Sequence, residues 1–119
     1  MIYLSTTKEE KSTMRAIEEK VSSAITSKKP LSCQNTVVKI GDLGMEDHCS
    51  VYLHGNLIFG YNYTTQMVFW DDCGWPTTTT SSRLNACFDA VAKLSGKRLR
   101  YSRKNGTGRV VDVATGEAV

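Results

Sequence analysis

The feature that most constrains this chain is a change of period. From His48 the residues alternate, with Cys49, Val51 and Leu53 on one face and His48, Ser50, Tyr52 and His54 on the other. Leu57, Phe59, Tyr61 and Tyr63 repeat that two-residue period, and Met67-Val68-Phe69-Trp70 resumes after a Thr64-Thr65-Gln66 break. From Leu84 the period lengthens: Leu84, Cys87, Phe88, Val91 and Leu94 form a helical stripe. A half-apolar sheet followed by a half-apolar helix must bury each against the other.

The remaining elements fit the same plan. Met14, Ile17, Val21, Ala24 and Ile25 predict a helix over about 6–28, with Thr6 or Thr7 and Glu9 or Glu10 as a capping box and Pro30 as its stop. The lead Met1–Leu4 is open to either a strand or a loose end. Strands are expected over about 36–40, 48–54, 57–63 and 67–71, with Gly55-Asn56 as a hairpin turn. A second helix is expected over about 80–95, capped by Thr79, Thr80 or Ser81 and ended by Gly96. A hairpin over about 97–113 turns at Asn105-Gly106, and a frayed tail follows Thr115-Gly116. The expected fold is α+β: an antiparallel sheet, meander plus C-terminal hairpin, with two α-helices packed on one face. At 119 residues this is a single domain.

No apolar run approaches the roughly 20 residues of a membrane span. No signal-peptide apolar segment follows Met1, so the expected setting is cytoplasmic. Cys33, Cys49, Cys73 and Cys87 include no Cys-x-x-Cys pair. Zinc ligation is therefore not expected, and the thiols read as small core residues. Neither a metal nor a cofactor is expected.

The net charge is only +3, but it is unevenly placed. Lys93, Lys97, Arg98, Arg100, Arg103, Lys104 and Arg109 precede the next acid, Asp112. Such a run favours an anionic partner. The candidate binding residues are Arg98, Arg100, Arg103, Lys104 and Arg109, with Tyr101 placed to stack a base. The bland alternative is a charged edge strand that discourages aggregation.

A second candidate is the corner between sheet and helix: Asp71, Asp72, Trp75, Thr79, Thr80, Arg83 and Asn85. Arg83 falls in the first helical turn, where the dipole disfavours a cation. A clasp to Asp71 or Asp72 is the expected compensation, with Trp75 packed beneath; the alternative is an anion held by Arg83 and the helix amides. Asn85 is open to either the helix surface or the corner. No catalytic residues are assigned. His48 and His54 lie roughly 20 Å apart on a regular strand, and His48 and Cys49 point to opposite faces. A Cys73–His54–Asp72 grouping is the one enzymatic alternative.

The helix–strand–strand–strand–helix order is similar to that of double-stranded-RNA-binding domains. Those domains carry a lysine cluster where this chain has Ser81-Ser82-Arg83. A more specific likeness lies in Gly74-Trp75-x-Thr77-x-Thr79-Thr80-x-x-Arg83-Leu84-Asn85-Ala86. This segment, with His54-Gly55-Asn56-Leu57-Ile58 before it, resembles a family of small bacteriophage proteins over about residues 51–94. The resemblance implies phage origin and the host-cell cytoplasm, and it brings no activity with it. The functional expectation is a non-enzymatic accessory protein that binds and inhibits a host macromolecule, a defence or nucleic-acid-processing complex, in the manner of an anti-CRISPR protein. Direct nucleic-acid binding by the basic hairpin is the first alternative. The expected partner is a host protein or nucleoprotein complex, and no membrane.

Overall fold

The computed structural model describes residues 2–44 and 47–119, with side chains described from Arg15 onward except Leu43. Helix α1 spans Ile2–Ser27, β1 Leu31–Cys33, β2 Thr36–Ile40, β3 His48–Leu53, β4 Asn56–Asn62 and β5 Val68–Trp70. A 3-10 turn occupies Asp42–Gly44; α2 (Thr78–Ser95), β6 (Leu99–Lys104) and β7 (Thr107–Asp112) complete the chain. The first five strands form one antiparallel meander in chain order, and β6–β7 is a separate two-stranded sheet. The α+β expectation holds.

The alternation in β3 sorts as expected on its apolar face, whereas Ser50 on the other face is buried too. Cys49, Val51 and Leu53 are buried, and Val38, Phe59 and Tyr61 from neighbouring strands join them. Ile17, Val21, Ala24 and Ile25 of α1 close over this face, as do Leu84, Cys87, Phe88 and Val91 of α2. Phe88 meets Phe59 edge to face, with ring centroids 5.8 Å apart. Helix α2 is the centre of the molecule, because α1, β4 and β6 all contact it. That explains why its second and third turns are buried at Ser82, Arg83, Leu84, Ala86 and Cys87, far beyond a single stripe.

Several boundaries differ from the sequence expectations. Helix α1 already runs from Ile2, so Thr6 and Thr7 lie inside it and do not cap it; Met14 falls among the side chains not described. The three-residue strand β1 was not expected at all. The β3–β4 turn is His54-Gly55, both at positive φ (50° and 79°), one residue earlier than expected. A bulge then lets both Ile58 and Phe59 be buried. Helix α2 is capped by Thr77, whose hydroxyl accepts the Thr80 amide, so the cap precedes the predicted Thr79–Ser81. Gly96 does end it, in the left-handed conformation at φ 78°. Asn105-Gly106 makes the predicted hairpin turn.

The tail is not frayed. Its backbone folds back on β7, with Asp112 N–H donating to Glu117 C=O at 2.9 Å and Val119 N–H to Val110 C=O at 2.8 Å.

Candidate functional site

Arg83 does not form the expected clasp. It is 3% exposed. Its Nε donates to Thr36 Oγ1 and its Nη1 to Ser82 Oγ, both at 2.9 Å. Among the described residues it has no carboxylate partner within ion-pair distance. Burial lowers its proton affinity, and the charge of Glu18 on α1 works in the opposite direction. Arg83 is thus a buried cation held by hydroxyls, and it faces the core rather than an anion site.

The two acids it was expected to meet are used elsewhere. Asp71 Oδ1 accepts the Cys73 amide at 2.7 Å, and Asp72 Oδ1 accepts the Gly74 amide at 3.0 Å. These bonds tie off the turn that places Cys73 (φ 56°) and Gly74 (φ 74°) in the left-handed region. Asp72 Oδ2 accepts the hydroxyl of Tyr101 at 2.8 Å. Burial and that carboxylate raise the Tyr101 pKa. Its ring meets Trp70 edge to face at 5.8 Å. Tyr101 is 2% exposed and offers no ring face to a base, so its expected stacking role is replaced by a structural one.

Asn85 serves neither the helix surface nor the corner. Its Oδ1 accepts the Tyr101 amide at 2.8 Å, and its Nδ2 donates to the Tyr101 carbonyl at 3.2 Å. Trp75, expected beneath the corner, is instead 71% exposed.

Trp75 stands on the rim of an open cavity of about 470 Å³ at the start of α2. Leu53 and Ile58 supply its apolar wall. His54, Asp72 and Cys73 all line it, so the chain does gather the one grouping considered for catalysis. Its chemistry is unfavourable for a nucleophile. Burial, then the charges of Asp71 and Asp72, raise the thiol pKa of Cys73. The thiol points to the Leu57 carbonyl at 3.5 Å, and His54 Nε2 lies 3.4 Å from Asn35 Nδ2. No Cys73–His54 hydrogen bond forms among the described residues.

The basic hairpin sorts its side chains by register. Tyr101 pairs with Val110 on the inner face; Arg100 pairs with Val111, Ser102 with Arg109 and Lys104 with Thr107 on the outer face. Arg100, Lys104 and Arg109 are exposed there, and Arg98 is exposed just before the strand. Arg103 lies on the inner side and reaches across to the Pro76 carbonyl, Nη1 to O 3.0 Å, which fastens the hairpin to the corner. Both hairpin edges are partly covered. Asn85 occupies the Tyr101 peptide on β6, and the tail bridges β7 between Val111 and Ala118. Edge protection therefore does not require the cations. Among the described residues the one ion pair is Lys28–Asp47 at 3.4 Å, so the outer cations form no ion pair there, although Arg100 shares a surface cleft with Glu18 and Asp89.

The described residues contain no group of three or more potential metal ligands, and no described helix is long and apolar enough to cross a membrane. Comparison with known proteins shows a family. The family model described as Kyanoviridae Gp96 protein matches residues 14–111. No curated protein and no solved structure matches the chain.

Proposed function

This chain belongs to the Kyanoviridae Gp96 protein family, a family of bacteriophage proteins, and from that premise we propose that it is a phage accessory protein that acts by occupying a host surface. The outer face of the β6–β7 hairpin is the contact surface, and the partner presents an anionic patch on a host defence or nucleic-acid-processing complex. Binding there inhibits the complex by covering it, which asks for no catalytic group.

One observation carries this reading. Arg98, Arg100, Lys104 and Arg109 are exposed on or beside one face of a hairpin anchored to α2 and the corner, with no ion pair among the described residues. Such a face concentrates positive potential and steers association with an anionic partner. It carries no exposed aromatic, so it is built to meet charge rather than to read bases.

The test is capture from host lysate, with and without nuclease, using the wild type and a triple Arg100→Glu/Lys104→Glu/Arg109→Glu variant. Nuclease-resistant capture of a host protein complex that is lost in the variant supports the proposal. Capture abolished by nuclease assigns the face to nucleic acid itself.

A further inference from the structure

The cavity at the start of α2 has an exposed indole on its rim and takes no part in the proposed basic contact. Its volume of about 470 Å³ lies in the range of about 300–1,000 Å³ usual for small-ligand sites. Trp75 is 71% exposed, although large aromatics ordinarily bury most of their surface. Among the described residues, nothing of this chain covers it.

We propose that this cavity binds a nucleobase: a flat, uncharged ring stacked on Trp75, with its polar edge turned to the hydroxyl, amide and imidazole groups of the wall. The wall composition selects this chemistry. Leu53 and Ile58 demand an apolar face, whereas Asn56, His54 and Thr79 add hydrogen-bonding groups around it. A purely hydrocarbon ring would desolvate those groups without replacing their bonds to water, an unfavourable exchange. A nucleobase carries donors and acceptors at its edge and two π faces, and base–aromatic stacking tolerates any base.

Charge within the site is balanced rather than directed. Asp72 brings a carboxylate, and the first turn of α2 brings the positive end of a helix dipole. An uncharged ring suits that balance. Arg103 is not part of the wall, but its bond to the carbonyl of Pro76, between the cavity residues Trp75 and Thr77, anchors a guanidinium to the same corner. The base arrives either as a free nucleoside or as an unstacked base of a single strand.

The experiment is a titration of ¹⁵N-labelled protein, following the Trp75 indole N–H, with adenosine, guanosine, cytidine and uridine. Parallel titrations use single-stranded homo-oligonucleotides and methyl glucoside. Saturable shifts with at least one nucleoside, weakened at least tenfold in Trp75→Ala, support a site for free nucleosides. Shifts with oligonucleotides alone, again weakened at least tenfold in Trp75→Ala, support the same site filled from a strand. Absence of saturable binding in both arms overturns the proposal, as does binding unchanged in Trp75→Ala or methyl glucoside binding as tight as the nucleosides. Oligonucleotide binding lost only in the Arg100/Lys104/Arg109 variant also overturns it and leaves the basic-face reading standing. The wild-type fold is checked in each variant by its amide spectrum; a second substitution, Thr79→Val, keeps the test available if Trp75→Ala is unfolded.

Discussion

Asn85 meets Tyr101 as a neighbouring strand would: its side-chain amide accepts the Tyr101 N–H at 2.8 Å and donates to the Tyr101 C=O at 3.2 Å. One helical side chain thus docks the basic hairpin on α2 and fixes the direction of its outer face. Asn85→Ala removes both bonds and leaves two half-buried peptide groups unpaired. It should lower stability by about 1–3 kcal/mol, read as a shift in the urea midpoint. Hydrogen exchange should accelerate in β6 before it does in β3. Asn85→Asp, which keeps the acceptor but sets a carboxylate oxygen against the Tyr101 carbonyl, should lose at least as much.

The Asn85 role was not legible in the sequence, and the reason is geometrical. Period and turn chemistry are local, so the alternation of β3, the stripe of α2, the Gly96 stop and the Asn105-Gly106 turn could all be read directly. Partners 16 residues away for Asn85, or 47 away for Arg83, are set by packing. The expectation of a local Arg83–aspartate clasp failed because α2 is central: its second turn looks into the fold at Arg83, while Asp71 and Asp72 are taken up by their own turn and by Tyr101. Trp75 was misplaced for a related cause, since a corner residue is buried only if something packs over it. A three-residue strand such as β1 carries too little pattern to be recognised.

Arg83 bears on stability in a way that distinguishes charge from packing. A buried cation held only by hydroxyls is replaceable by an apolar side chain of similar length, because its desolvation is not repaid by a carboxylate. Arg83→Met should therefore leave stability within about 1 kcal/mol of wild type or raise it. Arg83→Ala should lose about 2–4 kcal/mol through the cavity it leaves. Chemical denaturation of both variants checks the pair; equal, large losses would point to a favourable role for the charge itself.

Gly108 guards the link between corner and hairpin. A Cβ at this position would overlap Asp72 Oδ2 and the Tyr101 hydroxyl. Gly108→Ala should break the Tyr101–Asp72 bond and cost about 1–3 kcal/mol. Its signature is spectroscopic: the Tyr101 phenol, whose pKa is raised in the wild type, should titrate closer to the ordinary tyrosine value in the variant.

Stability should fall on the alkaline side. Burial raises the thiol pKa of Cys49 and Cys87, and it raises the phenol pKa of Tyr63 and Tyr101. The folded state thus keeps protons that the unfolded state releases, from about pH 8.5 for thiols and about pH 10 for phenols. Their contribution is complete below those values and is lost as pH rises through the window. Unfolding free energy measured from pH 7 to 11 should decline progressively above about pH 8.5. In Cys87→Ala the early part of that decline should be shallower.

The basic outer face is the central claim, and its most direct test is binding at constant fold. The captured host complex should bind the wild type with an affinity that falls as salt rises. The Arg100→Glu/Lys104→Glu/Arg109→Glu variant, with an unchanged circular-dichroism spectrum, should bind at least tenfold more weakly. Equal affinity of the wild type and this variant for the same complex would contradict the account.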